Sequence, residues 1–346
     1  MELHFTKTNG PADEAIDNLI ELVEDIQHPG LVREMILAAL KAGQEGRDRA
    51  DLKQMNSTLK EMRFTSKVFS PYRHMKKVTV FGSARTDPSE PVYLTARTLG
   101  KKLVEAGYMV ITGAGPGIMQ SVNEGAGPEN SFGVNIRLPF EQKANTVLEG
   151  NPRLITYKYF FNRKVAFIKE AHAIALFPGG FGTLDEAMET LTLLQTGKRD
   201  PLPLILVDEP GGTYWHRWLK FFEDELLKQG YISDSDFSLF ECVDSVDAVV
   251  EIINRFYSRY HSLRYVNGLL VIRLVSGIKQ SLLLELESLF GDILTPGGKG
   301  MRICGALPEE ADEPGLAYLT RLVIDFNRKD FGRLRNLIDA INAAGE

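Results

Sequence analysis

Three stretches near the start of the chain carry apolar residues at intervals of three or four positions. They run from Ile16 to Ile26, from Val32 to Leu40 and from Leu52 to Met62. This spacing puts the apolar side chains on one side of a helix, so it predicts three amphipathic helices between residues 12 and 62. No residue in this region suggests chemistry, and we expect the helices to dock on a neighbouring surface.

From residue 78 onward, short apolar runs alternate with segments of helical spacing. The runs have strand length and cover 78–81, 108–112, 132–138, 173–177 and 202–207. The main helical segments cover 91–106, 159–171, 184–194, 214–229 and 244–260. This alternation predicts an α/β fold with a doubly wound, mostly parallel, Rossmann-like sheet and helices on both faces. Ligands of such sheets bind beyond the carboxyl ends of the strands, where the strand order reverses.

The last eighty residues have a pattern of their own. We expect a strand over 264–274, a helix over 278–290, strands over 301–307 and 317–326, and a closing helix over 331–341. The sequence therefore predicts three parts: an N-terminal helical region with its linker (1–74), a Rossmann-like core (75–260) and a small C-terminal α+β module (261–346). A βαββα module of this size packs against its host, mediates oligomerisation or binds a regulator, and the sequence does not choose among these.

Three glycine-rich turns follow strands at the predicted binding edge of the sheet. GSAR at 82–85 follows the first run, GAGPG at 113–117 the second, and PGGFGTLDE at 178–186 the run that ends at residue 177. Glycine lets the backbone approach a ligand closely, and the free N–H groups at a helix start favour an anion. Glu186 lies one helical turn beyond Thr183, so both face the same side. The pattern predicts a phosphate site with a catalytic carboxylate; a tight strand-to-helix turn with glycines for packing is the alternative.

Composition excludes several classes of partner. Charged residues make up 25% of the 346 positions and the formal net charge is −6, which argues against nucleic-acid or anionic-membrane binding. Cys242 and Cys304 lack metal-ligand spacing, so we expect free thiols in a reducing compartment and no metal. No apolar run approaches membrane-spanning length and no apolar signal core stands near residue 1, so we expect a cytoplasmic protein.

Dinucleotide cofactors are disfavoured by the spacing of the second glycine turn. In Gly113-x-Gly115-x-Gly117 the third glycine stands one position earlier than in the dinucleotide fingerprint. No acidic residue ends a following strand at the usual spacing either. We therefore expect no NAD and no other cofactor.

The motifs together resemble the LOG family. PGGFGTLDE, the Arg163-Lys164 pair on the preceding helix, and the upstream GSAR and GAGPGIM turns carry the resemblance, which covers roughly residues 75–258. The segments 135–142 and 195–198 are similar to the larger bacterial branch, which includes purine nucleotide nucleosidases. The family consists of phosphoribohydrolases that release the base from nucleoside 5′-monophosphates, including cytokinin nucleotides. Many members carried an older label, possible lysine decarboxylase.

The resemblance assigns roles to individual positions. It implies that Arg163 and Glu186 are catalytic. Independently of the resemblance, Glu189 lies one helical turn past Glu186 on the same face and is a candidate acid for the leaving base. Asp185, where many relatives have glutamate, lies about 100° around the helix from Glu186, so we expect it to face elsewhere. The remaining candidates contact the nucleotide: Gly179, Gly180, Gly182, Thr183, Lys164, Ser83 and Gly115 on the phosphate and ribose, and Met119, Asn145 and Thr192 near the base.

The implied reaction is hydrolysis of an AMP-like nucleotide to free base and ribose 5-phosphate. Glu186 would stabilise the oxocarbenium-like ribose and accept a proton from water, while Arg163 would pair with Glu186 or with ribose hydroxyls. The family core pairs so that a neighbouring subunit helps close the pocket, so we expect a homodimer or a larger even homo-oligomer. Two alternatives stay open at this point: a nucleotide sensor without turnover, and a pyridoxal-dependent decarboxylase, for which no Schiff-base lysine motif is present.

Overall fold

The structure is a computed structural model that describes residues 9–46, 48–139 and 143–344. The chain divides into two compact units, with the boundary between Phe64 and Thr65. Residues 140–142 of the segment that resembles the larger bacterial branch lie outside the described residues. The predicted three-part division at residues 74 and 260 stays a prediction.

The first unit is helical. Helices α1 (Pro11–Leu22) and α2 (Pro29–Glu45) each begin with proline, whose fixed φ and missing N–H suit the first helical position. Helix α3 (Arg49–Phe69) follows and continues past the unit boundary. Arg33 of α2 is buried and donates hydrogen bonds to the carboxylates of Asp13 and Asp17 on α1. The three helices predicted between residues 12 and 62 are confirmed.

The second unit contains a seven-stranded parallel sheet in the order β4-β3-β2-β1-β5-β6-β7. Its paired strands all run parallel. The strands are β1 (Lys77–Phe81), β2 (Met109–Thr112), β3 (Ser131–Ile136), β4 (Leu154–Tyr157), β5 (Ala173–Leu176), β6 (Leu204–Val207) and β7 (Glu241–Val243). The chain moves outward from β1 in one direction and from β5 in the other. The crevice at the carboxyl ends of β1 and β5 is therefore the place where such a sheet binds its ligand.

Helices cover both faces of this sheet. On one face lie α4 (Pro91–Glu105), α5 (Ile118–Ala126) and α9 (Val246–Phe256), which share one buried apolar cluster. On the other lie α6 (Phe160–Glu170), α7 (Phe181–Gln195) and α8 (Tyr214–Phe221), which contribute to a second cluster. The strands have apolar residues on both faces because both are covered. The predicted doubly wound α/β fold is confirmed.

The C-terminal part contains an antiparallel sheet in the order β10-β11-β9-β8. Its strands are β8 (Tyr260–Val266), β9 (Leu269–Leu274), β10 (Met301–Cys304) and β11 (Thr320–Ile324), and helices α10 (Gln280–Leu289) and α11 (Phe331–Ala343) share an apolar cluster with it. The predicted α+β character is confirmed. The single strand expected over 264–274 is wrong, because Asn267 (φ 49°) and Gly268 (φ 87°) form a tight turn between β8 and β9.

The sequence-based prediction differs from the structure in three other places. It contains neither strand β4 nor strand β7. The helix expected over 214–229 is regular only to Phe221 and continues as a π-helical segment, Phe222–Leu227. Along the described residues, no helix is long and apolar enough to cross a membrane.

Helix α11 connects the small antiparallel sheet to the helix that carries Glu186. A Cβ on Gly197, just past the end of α7, would lie 2.0 Å from the ring of Phe331. At the other end of α11, Asn342 accepts hydrogen bonds from the backbone N–H groups of Arg259 and Tyr260. Between these ends, Arg335 of α11 donates to the Leu202 carbonyl and to the Glu241 carboxylate, and these bonds hold α11 against the parallel-sheet part of the same unit.

Candidate active site

Three loops meet at the crevice between the ends of β1 and β5. The N–H of Ser83 donates to the carbonyl of Pro178, and the N–H of Ile118 donates to the carbonyl of Ser83. Gly82 has no room for a side chain, because a Cβ there would lie 2.6 Å from Ile118. The sequence therefore brings the three predicted glycine turns together, and the close approach of their backbones requires glycine.

The turn before α7 leaves its backbone open toward solvent. A Cβ on Gly179 would lie 2.1 Å from the Thr183 hydroxyl oxygen, whereas a Cβ on Gly180 or Gly182 would meet no atom within 4 Å. The Tyr214 hydroxyl donates to the Gly179 carbonyl at 2.6 Å and fixes the turn from the opposite side. The first N–H groups of a helix have no preceding turn to bond, so this end of α7 can accept an anion.

A cavity of about 680 Å³ lies in front of this turn. Thr183 and Glu186 line it, and each residue is 5% exposed. Ser83, Gly180, Gly182 and Met119 of the predicted set also line it, together with Arg163 and with Arg85 and Phe160. The structure therefore brings both predicted catalytic residues and most of the predicted phosphate loop to one cavity.

Glu186 is the most unusual group in the cavity. Its Oε2 atom is buried and has no hydrogen-bond partner among the described residues. Burial raises the pKa of its carboxyl group from 4.5 to about 7, against the opposing charges of Lys164 and Arg163. The Lys164 ammonium lies 3.9 Å from Oε2. The site therefore holds a buried carboxyl group that can change protonation state near neutral pH.

Arg163 is fixed by contacts with β3 and with its own helix. Its Nε donates to the carbonyl of Val134 at 2.8 Å, and its guanidinium lies over the Phe167 ring at 4.9 Å from the centroid. Burial lowers its pKa, while the charge of Glu186 raises it. Across the described residues, the cation within 4.0 Å of the Glu186 carboxylate is Lys164 and not Arg163. Arg163 therefore acts on Glu186 at longer range and keeps N–H groups for a ligand.

Lys164 reaches α7 and lies among its carboxylates. Its Nζ lies 2.8 Å from Oδ2 of Asp185 and 2.5 Å from Oε2 of Glu189. Burial lowers the pKa of Lys164, but the hydrogen bonds to Asp185 and Glu189 outweigh it, so the net shift is upward. Asp185 lines the cavity, whereas Lys164 and Glu189 are not part of its wall.

The structure does not bring Gly115, Asn145 or Thr192 to this cavity. The Asn145 side chain donates to the carbonyl of Gly115 at 3.1 Å and to Asn123 at 3.0 Å, so it supports the second glycine turn from behind. Thr192 is exposed nine residues along α7 from Thr183, and its hydroxyl donates to the carbonyl of Met188. Nine residues of helix span about 13 Å, too far to share the pocket of the same chain.

Two residues of the site were not singled out from the sequence. A Cβ on Gly113 would lie 2.5 Å from a terminal nitrogen of Arg163, so this glycine leaves room for the guanidinium. Gly113 could have been found from the sequence, because it is the first residue of the GAGPG turn. No sequence pattern marks Tyr214 as part of the site, because its hydrogen bond to Gly179 spans 35 positions of sequence.

Comparisons with known proteins agree with the motif. A family model described as "Possible lysine decarboxylase" matches residues 117–253. Cytokinin riboside 5′-monophosphate phosphoribohydrolase LOG7 of Arabidopsis thaliana is 29% identical over 164 residues, covering 46% of this chain and 71% of the relative. Pyrimidine/purine nucleotide 5′-monophosphate nucleosidase of Escherichia coli K12 is 31% identical over 143 residues, covering 39% of this chain and 32% of the relative.

Among solved structures, the X-ray structure of a structural-genomics target is 25% identical and has a TM-score of 0.37. The match covers 52% of this chain and 99% of that one. The family match and the curated relatives confirm the resemblance to the LOG family that the sequence motifs predicted.

Proposed function

We propose that this LOG-like chain is a hydrolase that cleaves the N-glycosidic bond of purine nucleoside 5′-monophosphates. The products would be free base and ribose 5-phosphate, with AMP-like nucleotides as substrates, cytokinin nucleotides to be tested among them, and the cytoplasm as the site of action. The observation that carries the proposal is Glu186, a buried acidic residue that lines the same cavity as the open glycine turn. The two relatives described above, a phosphoribohydrolase and a nucleosidase of 5′-monophosphates, support a nucleotide as substrate.

The 5′-phosphate would bind at the start of α7. The open backbone at Gly180 and Gly182 and the positive end of the helix dipole favour an anion there. The Ser83 hydroxyl oxygen accepts a hydrogen bond from the Arg85 N–H, so its own hydrogen is available for a phosphate oxygen. Holding the phosphate would fix the sugar, and this distant binding energy would orient the reacting carbon.

Glu186 would act at the anomeric carbon. As the C1′–N bond breaks, its electron pair leaves with the base and C1′ gains positive charge, which an adjacent carboxylate stabilises. Water then forms the new C1′–O bond and transfers a proton to Glu186, while the base takes up a proton from solvent. Arg163, held by the Val134 carbonyl, would favour the ionised carboxylate and contact ribose hydroxyls.

Release of free base tests the proposal. The full chain is incubated with AMP, GMP, CMP and isopentenyladenosine 5′-monophosphate, with adenosine as the matched substrate that lacks the phosphate. We expect base from the purine monophosphates, little from adenosine, and at least a hundredfold slower release by Glu186→Gln, which removes the charge and keeps the shape. An unchanged rate in Glu186→Gln would remove the assigned role. Tight nucleotide binding without product from any compound would favour a sensor instead.

A further inference from the structure

We infer that Lys164 is a positioning residue that, together with Asp185 and Glu189, sets the ionisation of Glu186, and that it does not contact the ribose or phosphate. These three residues, Lys164, Asp185 and Glu189, are called the charge clamp below. The inference rests on the proposed function, because it concerns the carboxylate that the reaction uses. It assigns a role to Lys164 and Glu189, which lie outside the cavity wall, and to Asp185 at its edge.

Two of the three N–H donors of Lys164 are directed at carboxylates of the protein. Its ammonium group has three N–H bonds, and Asp185 and Glu189 lie within hydrogen-bond distance of it at 2.8 and 2.5 Å. Glu186 lies at 3.9 Å, close enough for an electrostatic effect and too far for a hydrogen bond. The side chains of Lys164 and Glu186 are 16% and 6% exposed, so water screens their interaction weakly, whereas Asp185 is 60% exposed and its contact with Lys164 is screened more.

The positions of Lys164 and Glu189 separate these two residues from the substrate. Glu186 and Glu189 are three residues apart on α7 and share a face of that helix, and Lys164 reaches them from α6. Glu186 lines the cavity, whereas Lys164 and Glu189 do not. A lysine that bound the phosphate or ribose would need its ammonium group in the cavity wall. Lys164 instead lies where it can act on the substrate only through Glu186.

The two kinds of charge in the clamp act in opposite directions. The cation of Lys164 favours the ionised form of Glu186, and the anions of Asp185 and Glu189 favour the neutral form. Two other cations line the cavity together with Glu186: Arg163 from α6 and Arg85 from the loop after β1. Because these arginines stay in every variant below, the shifts isolate the charge clamp.

Opposite substitutions should therefore move the pH profile in opposite directions. The reaction needs ionised Glu186, so kcat/KM should rise with pH through its pKa. Lys164→Met removes the favourable charge, and we expect the acidic limb to move up by about one to two pH units, the size of effect given by an opposite charge at this distance. Glu189→Gln removes a repulsive charge and should move the limb down. Lys164→Arg keeps the cation and should restore the limb toward its wild-type position.

The experiment measures kcat and KM for AMP between pH 5 and 9 on the full chain and these three variants, with circular dichroism to verify folding. A second readout needs no turnover: a ¹³C NMR titration of labelled glutamate carboxyl groups, with the Glu186 signal identified by its loss in Glu186→Gln. The inference is supported if both readouts shift up in Lys164→Met and down in Glu189→Gln. It is overturned if Lys164→Met only raises KM with the limb in place, or if the Glu186 titration does not move.

The two readouts separate this inference from the proposed function. If the wild-type chain releases no base from any nucleotide, the proposed function fails, and the NMR titration still decides whether the charge clamp controls Glu186. If base is released and Glu186→Gln is inactive while neither readout moves in the clamp variants, the function stands and this inference fails. Glu189→Gln also keeps the test possible if Lys164→Met does not fold.

Discussion

Glu186 should make the folded protein less stable at neutral and alkaline pH. Its carboxyl group is buried, no described residue forms a hydrogen bond with its Oε2, and burial raises its pKa from 4.5 to about 7. Between these two values the folded chain binds more protons than the unfolded chain, so the free energy of unfolding falls as pH rises through this window and levels off above it. A pKa rise of this size lowers the free energy of unfolding by about 3 kcal/mol above pH 8.

Glu186→Gln should recover this free energy, because the amide keeps the shape and carries no charge. At pH 8 we expect the variant to be more stable than the wild type by about 3 kcal/mol, and at pH 5 by less than about 1 kcal/mol. Urea unfolding of both proteins at the two pH values measures the difference. Since every other group titrates in both proteins, the change of that difference with pH reports on Glu186.

The matched control removes an exposed glutamate from a helix of the same sheet. Glu105 lies on α4 next to Lys101, at 3.7 Å, with its side chain 58% exposed. Glu105→Gln should show no gain in stability between pH 5 and pH 8. The reasoning is refuted if the difference in free energy of unfolding between Glu186→Gln and the wild type is the same at pH 5 and pH 8. It is also refuted if the wild type is the more stable protein at pH 8. The expected gain in stability accompanies a loss of base release, a common trade at catalytic sites.

Two further predictions concern the turn before α7 and the assembly. Tyr214→Phe removes the hydrogen bond to the Gly179 carbonyl, and the loss of about 1 kcal/mol should raise KM for AMP about fivefold while leaving most of kcat, as steady-state kinetics can verify. An unchanged KM would mean that the turn does not need this support. For the assembly, light scattering should find a homodimer or a larger even homo-oligomer; a fully active monomer would contradict this.

The sequence predicts the parallel sheet because its strands are buried on both faces and read as continuous apolar runs. The strands that it does not predict are short and lie at the sheet edges. Strand β4 has one exposed and one half-buried residue among four, and the three residues of β7 are all half-buried. Such strands owe their form to a neighbour already in place, and a single sequence carries no record of that neighbour. The β8–β9 hairpin differs, since its Asn267-Gly268 turn signal was present and lay within a run that reads as one strand.

In the candidate site too, features built from consecutive residues are predicted from the sequence, and contacts between distant residues are not. The glycine turn and Glu186 are predicted because a strand, a turn and a helix start are consecutive in sequence. The environment of Glu186 is not predicted, because Lys164 reaches it from another helix. Gly115 and Asn145, predicted to contact the ribose or phosphate and the base, do not line the cavity; Asn145 uses its amide to hold Gly115 and the second turn.

For Asp185, the geometry of a single helix predicts the direction of the side chain but not its contact with another helix. Helix geometry predicts that Asp185 faces away from Glu186; its side chain is 60% exposed against 6% for Glu186, yet both residues line the same cavity. The same geometry gave no reason to connect Asp185 with catalysis, because it describes one helix at a time. Lys164 makes the connection from α6: its Nζ contacts Asp185 at 2.8 Å and acts on Glu186 at 3.9 Å. A change of Asp185 charge should therefore reach the buried carboxylate through Lys164, although Asp185 itself points toward solvent.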